Sequence, residues 1–303
     1  MQTLISVAIP AYNHARYIQL CLQSVVNQTY QNLELVIIDD GSTDNTAAII
    51  ARFLNEHAHR FQRVVFETQN NLGVSATSNK AISLCTGEWV HLLGSDDVIY
   101  PNKIAQQFAA ITTWADPNLA LVYADANYID ENNTTLPKVQ KNRPQAGVVD
   151  SAYSQLFLQN PITNPTITLK RSAFLAIGGF DETLKLEDWD CWLRLSVHYS
   201  IARVPEVLAS YRYHPHNTSR NQQLMLEAML RTFAKFLDNH NELISTQIKK
   251  QSFRENLHRL YRWSRKNQPT LLWLILKDAL LSPFHTPEAR DYRYYAERLA
   301  KAV

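Results

Sequence analysis

The chain has 303 residues, of which 46% are hydrophobic and 19% charged, so it can bury a full core and lacks the composition of a disordered protein. Its three cysteines lie far apart without CxxC spacing, which argues against a disulfide framework or a cysteine zinc site and indicates a reducing compartment. The net charge of +2 combines unequal parts: residues 1–219 carry 15 Lys and Arg against 20 Asp and Glu, whereas residues 220–303 carry 15 against 8.

The first 125 residues alternate short β-rich runs with helical patterns, which is typical of a parallel sheet built from βαβ units. The predicted strands are Leu4–Ile9, Leu33–Ile38, Val64–Phe66, Trp89–Leu93 and Leu119–Tyr123. Apolar residues at helical spacing predict a helix after each of the first three strands, and a further helix is predicted at 102–114. The pattern predicts the α/β fold class.

The second half of the chain is predicted to be mainly helical. Residues 130–147 are polar and contain two prolines, which predicts a surface loop long enough to serve as a lid. A strand is predicted at 164–170, followed by helices at 172–177 and 189–197 and by an almost wholly helical segment after Ser219. We therefore expect a catalytic domain at 1–219 and a helical C-terminal extension at 220–303.

Polar clusters follow four of the predicted strands, at 10–13, 39–42, 68–73 and 94–97. Ligands in open α/β sheets bind beyond the carboxyl ends of the strands, so these clusters are the candidate site. Neither GxGxxG after the first strand nor GxxxxGK[ST] is present, which argues against dehydrogenases and P-loop enzymes. Without a glycine-rich cradle a bound diphosphate commonly needs a cation, and Asp96 and Asp97 suit Mg²⁺ or Mn²⁺.

Five motifs occur in order at 7–13, 38–44, 71–73, 95–97 and 187–194. Together they resemble family 2 glycosyltransferases of the GT-A fold, over roughly residues 1–219. The resemblance implies a Rossmann-like, mostly parallel sheet flanked by helices and an inverting, nucleotide-sugar-dependent transferase. Five motifs in order are far more specific than any one of them.

The resemblance also implies roles for individual residues. The positions matching the family's nucleotide base and ribose contacts are Pro10, Tyr12, Asn13 and Asp40. We further expect the donor to contact Gly73, Lys80, Ser95 and Asp96. The alternative for Asp39 and Asp40 is that they only cap the second helix, and isolated cations such as Lys80 are usually solvated surface residues.

Asp96 and Asp97 match the family's metal-binding element of DxD type. Gly94 stands where many members have the first aspartate of that element, so this chain has one carboxylate fewer. His214 follows a late strand, and its imidazole is predicted either to compensate as a metal ligand, because neutral histidine is an acceptable Mn²⁺ ligand, or to contact the diphosphate. The alternative is that the aspartates form an ordinary helix-entry turn. The predicted cofactor is Mn²⁺ or Mg²⁺.

Glu187 and Asp188 match the family's ED motif, so the resemblance implies that they are catalytic, with Asp188 as the general base on the acceptor hydroxyl. The alternative is structural, because acidic residues suit a helix N-terminus and Asp190 can pair with Arg194 one turn later. Trp189 and its neighbour at 192 are predicted to be either core residues or acceptor-stacking surfaces.

We expect the chain to move a sugar from a UDP-sugar to an acceptor hydroxyl, as a hexosyl- or N-acetylhexosaminyltransferase in bacterial-type polysaccharide or glycan synthesis. The expected partners are the nucleotide-sugar donor and a glycan or lipid-linked acceptor, and no nucleic acid. The alternative is a non-catalytic nucleotide-sugar or glycan-binding protein of the same fold. A nucleotidyltransferase is disfavoured, because residues 10–16 do not form a glycine-rich basic loop.

The C-terminal segment has three alternative roles. Its apolar run Leu271–Leu276 is far shorter than the roughly 20 residues that a membrane span needs. Packing on the catalytic domain, peripheral membrane contact through basic aromatic helices, and homodimerisation all remain open. Because the first residues do not resemble a signal peptide, we expect a cytoplasmic location, with peripheral attachment to the inner face of the membrane as an option.

Overall fold

A computed structural model describes residues 3–137, 145–281 and 285–301. The chain forms two compact units that alternate along the sequence. The first unit comprises residues 1–150, 161–182 and 198–214, and the second comprises 151–160, 183–197 and 215–303. Two stretches before residue 219 therefore belong with the C-terminal helices. The division into functional domains at Ser219 stays a prediction.

The first unit is built on one sheet. Its strands are β1 (Ile5–Ala11), β2 (Leu33–Asp39), β3 (Arg63–Thr68), β4 (Trp89–Leu92), β5 (Val98–Ile99), β6 (Leu119–Ile129), β7 (Thr135–Leu136), β8 (Gly147–Val149), β9 (Thr168–Lys170) and β10 (Ser200–Arg212). The main path through the sheet is β3-β2-β1-β4-β9-β6-β10-β5, with β7 paired to β6 and β8 to β10.

The longer pairings in this sheet are parallel, as predicted, and the antiparallel pairings are short. The first four strands run in one direction, and β6 and β10 are parallel to each other, whereas the short β9 lies antiparallel between β4 and β6. Strands β1, β2 and β4 are buried almost throughout, because helices cover both faces of a parallel sheet and continuous apolar runs can fill them. The predicted strand at 164–170 is extended only in its last three residues, after a 3₁₀ turn at Asn164–Thr166.

Among the described residues, five α-helices belong to the first unit. They are α1 (Ile18–Val26), α2 (Thr46–His57), α3 (Val74–Leu84), α4 (Lys103–Trp114) and α6 (Arg171–Ala176). The predicted apolar face of α1 is buried through Ile18, Leu22 and Val25. The helix predicted after the second strand is present as α2, and the amide of its first residue, Thr46, donates to the Asp44 carboxylate at 2.9 Å.

Parts of the predicted surface loop at 130–147 form β-strands. Residues 135–136 form β7 against the end of β6, and the segment ends at the start of β8. Residues 138–144 lie outside the described residues, so the predicted lid falls largely beyond what the structure describes.

The second unit is helical. It contains α5 (Tyr153–Leu158), α7 (Glu187–His198, except its last residue), α8 (Gln222–His240), α9 (Thr246–Asn267), α10 (Thr270–Leu281) and α11 (Ala289–Ala300). Its core is aromatic: the rings of Phe157, Trp189 and Tyr292 all pack against Phe233, with centroid distances of 4.6 to 5.7 Å. Within the described ranges, every helix is too short or too polar to cross a membrane.

Candidate active site

The loops after β1 and β2 brace each other. Asn13 follows β1 in the left-handed region, with φ of 51°, and its side-chain oxygen accepts a hydrogen bond from the Thr43 amide at 2.8 Å. The Asn13 amide in turn donates to the Ser42 hydroxyl at 2.9 Å. Asn13, predicted to hold the nucleotide, therefore also fixes the shape of the loop around it.

Asp40 is hydrogen-bonded to the loop between β3 and α3. Its carboxylate is buried and accepts hydrogen bonds from the amides of Leu72 and Gly73, at 2.8 and 2.9 Å, and from the Gln69 side chain at 2.8 Å. Neither predicted alternative, a nucleotide contact or a helix cap, describes this arrangement, in which Asp40 holds the loop between β3 and α3. Its contact with a nucleotide stays a prediction.

Asp39 is as buried as Asp40, but its two carboxylate oxygens differ in their hydrogen bonding. One carboxylate oxygen accepts a hydrogen bond from the Ser42 amide at 3.1 Å. The other, Oδ1, is buried and has no hydrogen-bond partner among the described residues. A buried carboxylate oxygen without a partner is costly, so this oxygen is available for a hydrogen-bond donor from a ligand.

The other predicted donor contacts occupy varied settings. Tyr12 is 44% exposed beyond the end of β1, so its ring can pack on a ligand, whereas Pro10 lies within β1. Gly73 stands at the N-terminus of α3 with φ of 89°. Lys80 forms an ion pair with Glu67 at 2.8 Å, and both are partly exposed. Its predicted contact with phosphate gains no support from that pairing and stays a prediction.

Asp97 lies in the turn after β4 and is buried. Its carboxylate accepts a hydrogen bond from the Arg212 amide at 2.8 Å, which ties the turn to the end of β10. Burial, followed by the charge of Asp96, raises the pKa of Asp97 well above its ordinary value. Asp97 is not part of the cluster around Asp96 described next, and its predicted role as a metal ligand stays a prediction.

His14, Asp96 and His214 form a cluster whose potential ligand atoms all lie within 4.8 Å of one another. The His214 Nε2 atom lies 3.0 Å from Asp96 Oδ2, and the His14 Nδ1 atom lies 3.9 Å from Asp96 Oδ1. The two imidazole centroids are 5.7 Å apart. Two nitrogen donors and one carboxylate at this spacing fit a divalent cation after shifts of a few tenths of an ångström. This is the histidine-aspartate-histidine cluster.

The pKa shifts in this cluster favour an ionised carboxylate and a neutral His14. Burial alone would raise the pKa of Asp96, but the hydrogen bond with His214 helps to lower it below its ordinary value. Burial lowers the pKa of His14, which favours the neutral imidazole that can bind a metal. A carboxylate that stays ionised beside a neutral imidazole is the protonation state that a cation requires.

Gly94 makes room for the two carboxylates. A Cβ atom at this position would lie 2.9 Å from Asp97 Oδ2 and 3.0 Å from Asp96 Oδ1. The first distance is shorter than real Cβ contacts and the second is tight, so a side chain at position 94 needs a small shift of the Asp97 carboxylate. The glycine that departs from the usual family pattern therefore suits the present positions of Asp96 and Asp97.

Sequence reasoning did not single out His14, Arg212 or Tyr17. Arg212 is buried at the end of β10, where its guanidinium donates to the main-chain oxygens of Asp96 and Asp130 at 2.7 and 2.9 Å. It also stacks over the Tyr17 ring at 4.7 Å. The signal that could have found His14 is its place directly after Tyr12 and Asn13 at the edge of the sheet.

The second unit carries the predicted catalytic pair at the N-terminus of α7. Burial raises the pKa of Asp188 to about 6, and burial together with the charge of Asp188 raises the pKa of Glu187 to about 7. Both side chains keep partial exposure. A carboxylate whose pKa is moved toward neutrality is a better proton acceptor than an ordinary aspartate, which suits a general base.

The neighbours of this pair are structural. Asp190 binds Arg194 and Lys235 through its two oxygens, at 2.7 and 2.8 Å, which confirms the predicted pairing with Arg194. Trp189 and Trp192 are buried, and the Trp189 ring nitrogen donates to the Leu156 carbonyl at 2.8 Å. Both tryptophans are core residues.

Comparison with known proteins gives the same family as the motifs. The model of "Glycosyl transferase family 2" matches residues 6–174. An uncharacterized glycosyltransferase of Rickettsia typhi is 31% identical over 239 residues, which cover 77% of this chain and 72% of that protein. The chondroitin synthase of Escherichia coli is 31% identical over 71% of this chain, but the match spans only 30% of its length.

Two solved structures share the fold. Residues 1–349 of TarS from S. aureus, in complex with UDP-GlcNAc, superpose with a TM-score of 0.68 at 19% identity, covering 98% of this chain and 88% of that one. The mannosyltransferase PcManGT from Pyrobaculum calidifontis, in complex with GDP-Man and Mn²⁺, gives a TM-score of 0.66 at 19% identity, covering 100% and 86%. The chain belongs to glycosyltransferase family 2 and is a transferase with the GT-A fold.

Proposed function

We propose that the chain is an inverting glycosyltransferase that uses a nucleoside-diphosphate sugar, with a UDP-sugar as the first candidate, and a divalent cation. The observation that carries this proposal is the histidine-aspartate-histidine cluster beside the loops that follow the parallel strands. A bound Mn²⁺ or Mg²⁺ supplies charge that neutralises the diphosphate and stabilises it as it departs.

The proposed donor-binding roles follow from how exposed each side chain is and from which of its atoms already have hydrogen-bond partners. Tyr12 is exposed and offers a face for the nucleotide base, since aromatic stacking accepts any base. Asp39 offers an unpaired buried oxygen that accepts a hydrogen bond from base or ribose. Asp40 acts indirectly, because it holds the loop at 69–73 in place. Asp96, rather than Asp97, binds the cation directly.

The transfer step needs one proton acceptor. The acceptor hydroxyl gives its proton to the Asp188 carboxylate as its oxygen attacks the anomeric carbon. The bond between that carbon and the diphosphate oxygen breaks, and its electron pair leaves with the nucleoside diphosphate, so the anomeric configuration inverts. Glu187 is the second acidic group of this motif, and its pKa is also raised.

Thermal unfolding of the full chain tests the donor proposal. UDP together with Mn²⁺ is expected to raise the Tm by several degrees, because a ligand at about 100 times its Kd stabilises the folded state by about 2.7 kcal/mol. UDP or Mn²⁺ alone should have a smaller effect. The other nucleoside diphosphates serve as comparisons, and hydrolysis of the matching nucleotide sugar follows. If none raises the Tm with either metal, the donor proposal is wrong.

The acceptor is proposed to be a glycan or a lipid-linked glycan. Relatives over the matched region include chondroitin synthase of Escherichia coli and hyaluronan synthase of Pasteurella multocida, whose names refer to polysaccharides. The chain spans 30% and 21% of these two proteins, so only one part of each is matched. On this basis we propose transfer of a hexose or an N-acetylhexosamine in bacterial-type polysaccharide synthesis.

We further propose that the second unit attaches to an anionic membrane surface. On α10, Trp273 is 81% exposed and Leu276 48% exposed, one helical turn apart. On α9, which packs with α10, the exposed Arg254, His258 and Arg262 recur every fourth residue and share one face. Exposed apolar side chains combined with an excess of basic residues suit the headgroup region of an anionic bilayer.

Vesicle flotation tests this attachment. The full chain is expected to float with anionic vesicles at moderate salt and to be released at high salt, because screening weakens the attraction of basic residues. Replacing Trp273 and Leu276 together by serine should abolish flotation, whereas Tyr294→Ser, which removes an exposed aromatic from α11, should not. Equal flotation of the double variant would contradict the proposal, as would a wild-type chain that stays unbound and forms a dimer through this face.

A further inference from the structure

The side chain of His14 reaches the cluster from a different loop than its two partners. Asp96 follows β4 and His214 follows β10, whereas His14 follows β1. The His14 side chain keeps 24% exposure, and its Nδ1 atom lies 2.7 Å from the Ser95 hydroxyl. Three separate segments of the first unit thus bring ligand atoms to one point.

The backbone of His14 is fixed. Its amide donates to the Thr46 hydroxyl at 2.9 Å, and its carbonyl accepts from the amides of Tyr17 and Ile18, both at 2.9 Å, as α1 begins. The Tyr17 ring contacts both imidazoles, with centroid distances of 5.9 Å to His14 and 5.1 Å to His214. The imidazole is therefore held by rigid supports, as a ligand needs to be.

The glycine at position 94 explains why a ligand atom from the His14 loop is useful. The space that a side chain at position 94 would fill is taken by the carboxylates of Asp96 and Asp97, so that position offers no ligand atom. The His14 imidazole adds a donor atom from another loop. The resulting protein donor set consists of two nitrogens and one carboxylate.

We propose that His14 is a protein ligand of the catalytic cation and that it makes the site select transition-metal ions, such as Mn²⁺ and Co²⁺, over Mg²⁺. The inference rests on the proposed function in that it takes the cluster as the cation site. Imidazole nitrogens favour transition metals, whereas Mg²⁺ prefers an all-oxygen shell of carboxylates, phosphates and water. Each imidazole that replaces an oxygen ligand therefore weakens Mg²⁺ binding relative to Mn²⁺ and Co²⁺.

Metal binding by the full chain without nucleotide tests this role. Mn²⁺ binding is followed by electron paramagnetic resonance, Co²⁺ binding by visible absorption, and Mg²⁺ binding by displacement of Mn²⁺. His14→Gln is expected to weaken Mn²⁺ and Co²⁺ binding about 10- to 100-fold and Mg²⁺ binding much less. The exposed His59 provides a matched control, since His59→Gln should change none of these affinities. Equal weakening for all three ions would overturn the selectivity.

A spectroscopic readout separates a ligand from a structural residue. With Cu²⁺ as the probe, pulsed electron paramagnetic resonance should detect couplings to two imidazole nitrogens in the wild-type chain and to one in His14→Gln. His14→Asp should retain a ligand but move the preference toward Mg²⁺. Two nitrogen couplings in His14→Gln would show that His14 is not a ligand. Because His14→Asp supplies a second route to the answer, poor folding of His14→Gln would leave the inference testable.

The outcomes also distinguish this inference from the donor proposal. If no nucleotide raises the Tm while His14→Gln loses one imidazole coupling, the cation site stands and the donor proposal fails. If Asp96→Asn loses metal binding while His14→Gln keeps the wild-type affinities and couplings, the cation site stands and the role of His14 is wrong.

Discussion

Asp188→Asn is expected to lower the rate of sugar transfer by about 10²–10⁴-fold, because this is the usual contribution of a general base. Asparagine keeps the size of the side chain but cannot accept the proton of the acceptor hydroxyl. Binding of UDP with Mn²⁺ should stay near the wild-type value, since the substitution leaves the predicted donor residues intact. Steady-state kinetics and calorimetry measure the two effects separately. Transfer at a near-normal rate would exclude Asp188 as the base.

The pH dependence of the wild-type rate gives an independent check. Asp188 accepts a proton only when ionised, and burial raises its pKa to about 6. The rate should therefore fall as the pH drops through about 6, with an apparent value that belongs to Asp188 and Glu187 together. Asp238→Asn, the same change at an exposed aspartate of α8, should leave the acidic limb where it is. An acidic limb near pH 4 would contradict the raised pKa.

Asp96→Asn is expected to abolish the metal-dependent part of nucleotide binding and to weaken Mn²⁺ binding by at least about 10–100-fold. The reason is that Asp96 supplies the negative charge of the histidine-aspartate-histidine cluster. Calorimetry with Mn²⁺ alone, and then with UDP and Mn²⁺, measures both effects. Glu88→Gln, which neutralises an exposed carboxylate directly before β4, is the control.

Asp97→Asn tests which of Asp96 and Asp97 contributes more to Mn²⁺ binding. Asparagine retains an oxygen that can accept the hydrogen bond from the Arg212 amide, and the raised pKa of Asp97 already disfavours its charge. Mn²⁺ affinity should therefore fall less for Asp97→Asn than for Asp96→Asn. The reverse order would make Asp97 the direct ligand, a choice that the family pattern leaves open.

The sheet and the family were predictable because they depend on local signals. Strands β1, β2 and β4 are apolar runs that a buried parallel sheet requires, and the turns that follow them carry motifs of fixed spacing. The pair at 187–188 was predicted in the same way, from a motif of fixed spacing, and its catalytic role stays a prediction. Strand β9 was overestimated in length, because an apolar run does not reveal where a 3₁₀ turn interrupts it.

The contacts within the site could not be predicted because they join distant segments. Asp40 binds amides more than thirty residues away, and Arg212 reaches Asp96 across more than a hundred residues. Local spacing carries no information about such pairings. For the same reason the sequence predicted Asp96, Asp97 and His214 as ligands of one metal site but did not place His14 beside them.

Gly94 also bears on how this protein could have diverged from its relatives. A sequence comparison would describe the glycine as a missing aspartate that one substitution could restore. A Cβ atom at that position would meet the carboxylates of Asp96 and Asp97, so the first effect of restoring a side chain is to disturb the two aspartates that remain. The effect of a substitution at position 94 is therefore coupled to the conformations of Asp96 and Asp97: a restored aspartate enters the site only together with a shift of these two carboxylates.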